Sequence, residues 1–195
     1  MAKLVKITFI RHGETDENKA KRVQGRKDYP LNENGIAQAK MVAKYLIKND
    51  YNFDAIFSSP LSRAFDTARI INETMGLNLN IIKDAAFIER EFGEYEGMTV
   101  SKEAFKPILL DIGEGLEKEK DIKDRVYNGL IKILAENKYE HILVVAHSHT
   151  IKAIMNLLDE DISFYARMVN CSISNLSYDG KELKIEKFNI NPNIE

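Results

Sequence analysis

Residues 4–15 read LVKITFIRHGET, an apolar, β-branched run that stops abruptly at Arg11 and His12. Such a run, with no helix signal, reads as a buried strand of the type found in parallel sheets. A second run of this character, HILVVA at 141–146, stops at His147. Between and after these two strands the pattern turns helical and back again. Asn32 is placed to cap a helix carrying Ile36, Ala39, Ala43, Leu46 and Ile47 at helical spacing and ending near Asn49. Asp54–Ser58 reads as a short strand, and Ser59-Pro60 as the N-cap and first residue of a helix running to Thr74, with Gly76 just beyond. Another helix is expected from about Asp121 to Glu136, burying Ile122, Val126, Leu130, Ile133 and Leu134. Ile151, Ile154, Met155 and Leu158 resume the helical period. Two alternating segments, Ser172–Tyr178 and Leu183–Phe188, form a hairpin around Asp179-Gly180. The order predicts a layered α/β fold whose mainly parallel sheet is made mixed by the terminal hairpin. In such folds ligands bind beyond the carboxyl ends of the strands.

The 195 residues contain no repeat and no linker, so one domain spanning 1–195 is expected. Lys plus Arg total 28 against 30 for Asp plus Glu, and a net charge of -2 supplies no general field for nucleic acid or an anionic membrane surface. A lone cysteine, Cys171, forms no internal disulfide, which fits a reducing cytoplasm. The apolar stretch before Arg11 is too short for a signal peptide, and no segment approaches the ~20 apolar residues of a membrane span. In that setting the sequons at Asn72, Asn170 and Asn175 carry no glycan expectation. The charged stretch EGLEKEKDIKDR at 114–125 reads as the solvated beginning of a helix, with part of a flap over a site as its other reading.

The polar residues collect at one sheet edge. Arg11 and His12 leave the first strand there, and His147 leaves the strand ending at Ala146. Each histidine alone reads as a structural one; their common placement makes them a site. Arg63, near the fourth position of the helix opened by Ser59-Pro60, leans back toward the same edge. Two arginines, two histidines and a helix N-terminus make an anion cage suited to a phosphoryl group in transfer. No metal-binding motif is present, and His147 and His149 make a poor chelate. Without a metal to activate water, transfer needs a protein nucleophile, and a neutral His12 flanked by cations is the candidate. The leaving alkoxide then needs a proton from a carboxylic acid or an imidazolium. The acidic run EREFGEYE at 89–96 offers carboxylates, or is a solvated turn.

These residues resemble the histidine phosphatase superfamily, which includes phosphoglycerate mutases. RHGET at 11–15 is similar to its signature and continues in register through Asn18, Arg22, Gln24, Gly25, Asp28, Pro30, Leu31, Gly35, Gln38 and Ala39. SSPLSRAFDTA at 58–68, IEREFGEYEG at 88–97 and VVAHSHTIKAI at 144–154 resemble the family's second-arginine helix, acid loop and second-histidine block, in family order. The resemblance implies a three-layer, phosphoglycerate mutase-like α/β/α fold. It implies that His12 accepts the phosphoryl group, that Arg11, Arg63 and His147 hold its oxygens with Asn18 beside them, and that Glu89 is the general acid and then the base. Arg22, Gln24, Gly25 and the backbone NH of Ser148 are the further substrate-binding positions. Where the family often has two glycines this chain has Ser148 and His149. His149 is expected to pack, with narrowing the pocket or facing the substrate as its other open roles. The family's GES motif also has no clean copy after Gly97.

The family's mutases carry a Tyr three residues after the acid, a Lys eleven after it and an adjacent arginine pair. Here the two positions are Phe92 and Val100, and the chain has no adjacent arginine pair. Hydrolysis of a small phosphorylated metabolite, with no cofactor and no metal, is therefore expected over mutase activity. A phosphoglycerate mutase drawing charge from Arg22, Arg26 or Lys27, and an inactive phosphate-binding regulatory protein, are the alternatives. A second copy of the chain, forming a homodimer, is the one macromolecular partner left open.

Overall fold

The computed structural model describes residues 4–192. Six strands form one mixed sheet: β1 (Val5–Arg11), β2 (Ala55–Ser58), β3 (Ile81–Lys83), β4 (His141–Ala146), β5 (Ile173–Tyr178) and β6 (Leu183–Ile190), in the order β3-β2-β4-β1-β5-β6. β1 to β4 run parallel, while β5 lies antiparallel to both β1 and β6. The helices are α1 (Asp16–Lys19), α2 (Glu33–Lys48), α3 (Ser62–Met75), α4 (Lys102–Leu109), α5 (Glu119–Ala135) and α6 (Ser148–Leu158). Strand alternation divides the apolar residues between two faces. Ile142, Val144 and Ala146 of β4 pack with α5 and α6, and Leu143 and Val145 pack with α2 and α3. That two-sided burial makes the three α/β/α layers and explains why β4 is an apolar run after His141, while β1 interrupts its run with exposed Lys6 and with Thr8, which is bonded to His141 and Asn175. Among the described residues no helix is long and apolar enough to cross a membrane.

Helix α2 runs between the expected caps, Asn32 and Asn49, with the Asn32 side chain accepting the Gly35 NH. Its buried stripe is Gly35, Ala39, Val42, Ala43 and Leu46, so Ile36 and Ile47, each about 100° off that stripe, are 39% and 51% exposed. Helix α3 begins at Ser62, later than Pro60, because the backbone at Leu61 is still extended, and the Ser59 hydroxyl lies 2.7 Å from His147. Its first turn is capped from a distant loop: Asp28 accepts from both the NH and the hydroxyl of Ser62. Local sequence cannot show such a cap. The hairpin turn is four residues long, closed by the Asp179 carboxylate accepting the NH groups of Lys181 and Glu182.

The charged stretch at 114–125 is solvated at Glu114, Lys118, Lys120, Asp121 and Asp124, as expected, but other side chains turn inward. Glu117 is nearly buried, takes two hydrogen bonds from Arg125 and pairs with Arg26. Arg125 also donates to the carbonyls of Ala86 and Ile88, and the Arg90 Nε donates to the Glu117 carbonyl. The segment is thus a brace for the acid loop. A third apolar cluster, Val23, Phe92, Ile108 and Leu116, ties α4 to the same loop.

The loop after β1 is gripped by the first turn of α2. A Cβ on Gly35 would lie 2.1 Å from the Glu14 carbonyl oxygen, and one on Gly13 would lie 2.5 Å from the Gly35 oxygen. Helix propensity alone favours alanine over glycine by up to ~1 kcal/mol. Gly35→Ala is nevertheless expected to lower stability by ~1–3 kcal/mol through this clash, seen as a lower urea midpoint; an unchanged or raised midpoint would contradict the close packing.

Candidate active site

The parallel pairing of β1 with β4 sets Arg11 opposite Ala146, and the His12 NH donates to the Ala146 carbonyl at 3.0 Å. Two separate chain segments therefore deliver His12 and His147 side by side, with ring centroids 5.1 Å apart. His12 Nδ1 lies 2.7 Å from the Gly13 carbonyl oxygen. A carbonyl only accepts, so Nδ1 carries the hydrogen and Nε2 holds the lone pair. Gly13 is in turn anchored, its NH donating to the Thr67 hydroxyl of α3.

The cations are held mainly by carbonyls. Arg63 donates to the carbonyls of Gly25 at 2.7 Å and Lys27 at 3.0 Å, and Arg11 donates to that of Met168. Buried Nε atoms on both arginines, Nδ1 of His147 and Nε2 of Gln24 have no hydrogen-bond partner among the described residues. His147 Nε2 is 2.7 Å from the Ser59 hydroxyl. Glu89, 4% exposed, accepts from the NH groups of Arg90 and Thr150 and from the Thr150 hydroxyl through Oε1. Its Oε2 has one longer contact, the His149 NH at 3.3 Å. The start of α6 thereby presents the carboxylate to the cage.

A cavity of about 630 Å³ opens here, lined among others by Arg11, His12, Asn18, Arg22, Gln24, Glu89, Ser148 and His149. Arg63, His147 and Gly25 are not in its wall. Arg63 and His147 stand against His12, and Gly25 acts through its backbone, holding Arg63 with its carbonyl and donating to Glu96. A Cβ on Gly25 would come within 2.9 Å of the Arg90 oxygen. His149 packs edge-on to Phe92 at 5.0 Å while also touching the cavity. Among the described residues no three His, Cys, Asp or Glu side chains group as a metal site.

Sequence reading passed over several contributors. Asn170 donates to the His12 carbonyl and to the Asn18 side chain, Met168 receives Arg11, and both line the cavity with Arg167. They sit between α6 and β5 in a stretch without periodicity, where Asn170 registered only as part of a sequon. Thr150 carries no pattern of its own, and Ser59, expected as an N-cap, lies against His147. Lys152 of α6 has its ammonium buried against the carbonyls of Phe164 and Ala166.

Burial, then the charges of Arg63 and Arg11, push the His12 pKa well below its ordinary 6.5. Burial, Arg63 and His12 do the same to His147. Burial and Lys152 depress His149. Burial brings Arg11 down to about 10 against the pull of Glu89, which leaves it charged near neutrality.

A family model for the histidine phosphatase superfamily, branch 1, matches residues 7–191, and the chain belongs to that superfamily. An uncharacterised phosphatase, PhoE, of Bacillus subtilis is 35% identical over 191 residues, 96% of each chain. A metal-independent phosphoserine phosphatase of Arabidopsis thaliana is 30% identical over 184 residues, 89% of this chain and 76% of its own. A mycobacterial glucosyl-3-phosphoglycerate phosphatase, solved with VO3, superposes with a TM-score of 0.82 at 26% identity, covering 96% of this chain and 100% of its own. The relatives thus include phosphatases, and the phosphoglycerate mutase-like fold is the one observed.

Three buried histidines with lowered pKa values link folding to pH. Below about pH 6.5 the unfolded chain protonates them while the folded chain keeps them neutral, so stability falls as pH drops. Each ring should remove about 1.4 kcal/mol between pH 7.5 and 5.5. Urea midpoints at the two pH values test this; His149→Phe should flatten the fall by roughly one ring's share, and an identical slope would show that this ring titrates in the fold as it does in the unfolded chain.

Proposed function

We propose that the protein is a phosphomonoester hydrolase acting through a phosphohistidine on His12. The observation that carries the reading is the Nδ1 hydrogen bond of His12 to Gly13, which leaves a neutral Nε2 lone pair among unpartnered cationic donors. Nε2 attacks phosphorus as the ester P–O bond breaks. Arg11, Arg63 and the His147 Nδ1 side offer donors to the phosphoryl oxygens as charge builds. Glu89 passes a proton from Oε2, its lightly held oxygen, to the leaving alkoxide. Water then gives a proton to Glu89 and attacks phosphorus, the P–N bond breaks, and inorganic phosphate leaves. Asn18, fixed by Asn170, and Gln24, Arg22 and the Ser148 NH complete the substrate contacts.

Hydrolysis is favoured over transfer to a second hydroxyl by two side chains. Phe92 is buried in the third apolar cluster, and Val100 presents methyl groups to the cavity. Neither supplies the hydroxyl or ammonium that would hold a carboxylated intermediate against water. Intact His12, Arg63, Glu89 and His147 speak for catalysis over passive phosphate binding. We read the reaction as metal-independent and the setting as the cytoplasm, where the buried thiol of Cys171 stays reduced.

Turnover of 4-nitrophenyl phosphate should persist in excess chelator and be inhibited by vanadate. His12→Ala should abolish both turnover and acid-labile phosphate labelling; labelling that survives, or wild-type protein that binds phosphate without turnover, would remove His12 from the nucleophile role. Glu89→Gln should slow alkyl phosphates ~10²–10⁴-fold and the nitrophenyl ester far less, since that leaving group needs little protonation. Equal losses would take Glu89 out of the acid role.

A further inference from the structure

Beside the phosphoryl cavity lies a second hollow of about 470 Å³. The two share Val100, Phe105, Ser148, Lys152, Arg167 and Met168, so each opens into the other. The rest of its lining is Ser101, Phe164, Tyr165 and Ala166. One side is therefore α4 with the residues before it, the other is the segment between α6 and β5, and α6 runs beneath.

Apart from the Ser101 hydroxyl and the Tyr165 phenol, this wall is built from apolar side-chain surface. Lys152 offers its methylene stem, because its ammonium is spent on the carbonyls of Phe164 and Ala166. Arg167 lies at the junction with the phosphoryl cavity rather than on the far wall. No carboxylate lines the hollow among the described residues. Val100 and Tyr165 are 42% and 64% exposed, so large apolar groups stand in water at its mouth. A leaving group rich in hydroxyls or charge would exchange water for methyl groups and rings, leaving its polar atoms unmatched. An alkyl chain or an aromatic ring would cover the exposed apolar surface instead.

We propose that this hollow is the leaving-group subsite, and that the preferred substrates are phosphate monoesters of apolar alcohols or phenols. The assignment rests on the hydrolase reading above and narrows it. The phosphoryl group sits by Arg11 and His12, and the ester oxygen directs the rest of the molecule past Ser148 toward Tyr165.

The test is a series of unbranched alkyl phosphates from ethyl to hexyl, whose alcohols leave with nearly equal ease, so the chemical step is constant along it. The wild-type enzyme should gain about two- to fourfold in kcat/KM per added methylene, mainly through KM. Hexyl phosphate should exceed phosphoserine and glycerol phosphate. Tyr165→Ser should shrink the hexyl-to-ethyl ratio, and Tyr165→Phe should restore it. A flat or falling series in an enzyme that hydrolyses ethyl and 4-nitrophenyl phosphates would overturn the subsite and leave the hydrolase reading standing. Failure to hydrolyse any ester, the nitrophenyl one included, would overturn both. A dimer in sedimentation velocity that Tyr165→Ser dissociates would assign the hollow to a second copy of the chain and overturn the proposal.

Discussion

The parallel pairing of β1 with β4 is the constraint on which the rest depends. Because Arg11 stands opposite Ala146 and the His12 NH is bonded to the Ala146 carbonyl, the strands end together, and the residue after each is a histidine. A slip of one residue would turn the inward rows of both strands to the wrong face and pull the imidazoles apart. Two fully buried faces make such a slip prohibitive: the same alternation that packs Phe9 against α5 and α6 and Ile10 against α2 and α3 fixes the distance between His12 and His147. The core thus sets the site geometry, as well as the stability.

Two kinds of arginine surround that pair, and their partners separate them. Arg90, Arg125 and Arg26 are paired with Asp111, Glu117 and Glu91, and these pairs tie the acid loop to the beginning of α5. Arg11 and Arg63 are oriented through carbonyl oxygens instead. A carbonyl fixes the direction of a guanidinium without neutralising it, so positive charge is retained where burial is deepest. Burial and then that charge depress the His12 pKa, and in the reaction proposed above a phosphoryl oxyanion is the partner that neutralises it. Glu89 belongs to the same design from the opposite side, its carboxylate held by backbone NH groups at the start of α6.

Much of this was legible from residue order. The β-branched, apolar runs at 4–10 and 141–146, the Asn32 and Gly76 helix boundaries and the apolar stripe of α5 all rest on local periodicity and capping, and they appear in the fold within a residue or two. Arg11, His12, Arg63 and His147 could be named because strand ends and a helix N-terminus share an edge of a parallel sheet, whereas Glu89 was singled out only by the family resemblance. The less legible features depended on distant contacts. Asp28 caps α3 from another loop, Ser59 turns aside to meet His147, and Glu117 is drawn out of a charged run to hold Arg125. Residues 164–170 lack periodicity altogether, yet they receive Arg11, Lys152 and, through Asn170, the loop around His12.

By itself, then, the sequence determined the alternation of strands and helices and which polar residues stand at the carboxyl edge, because those follow from spacing along one chain. Tertiary structure alone decided how the arginines are aimed, which nitrogen of His12 is free and where the apolar hollow lies. Each of these depends on groups that are far apart in the chain or on a loop conformation that no periodic pattern encodes, and it exists only once the layers have packed.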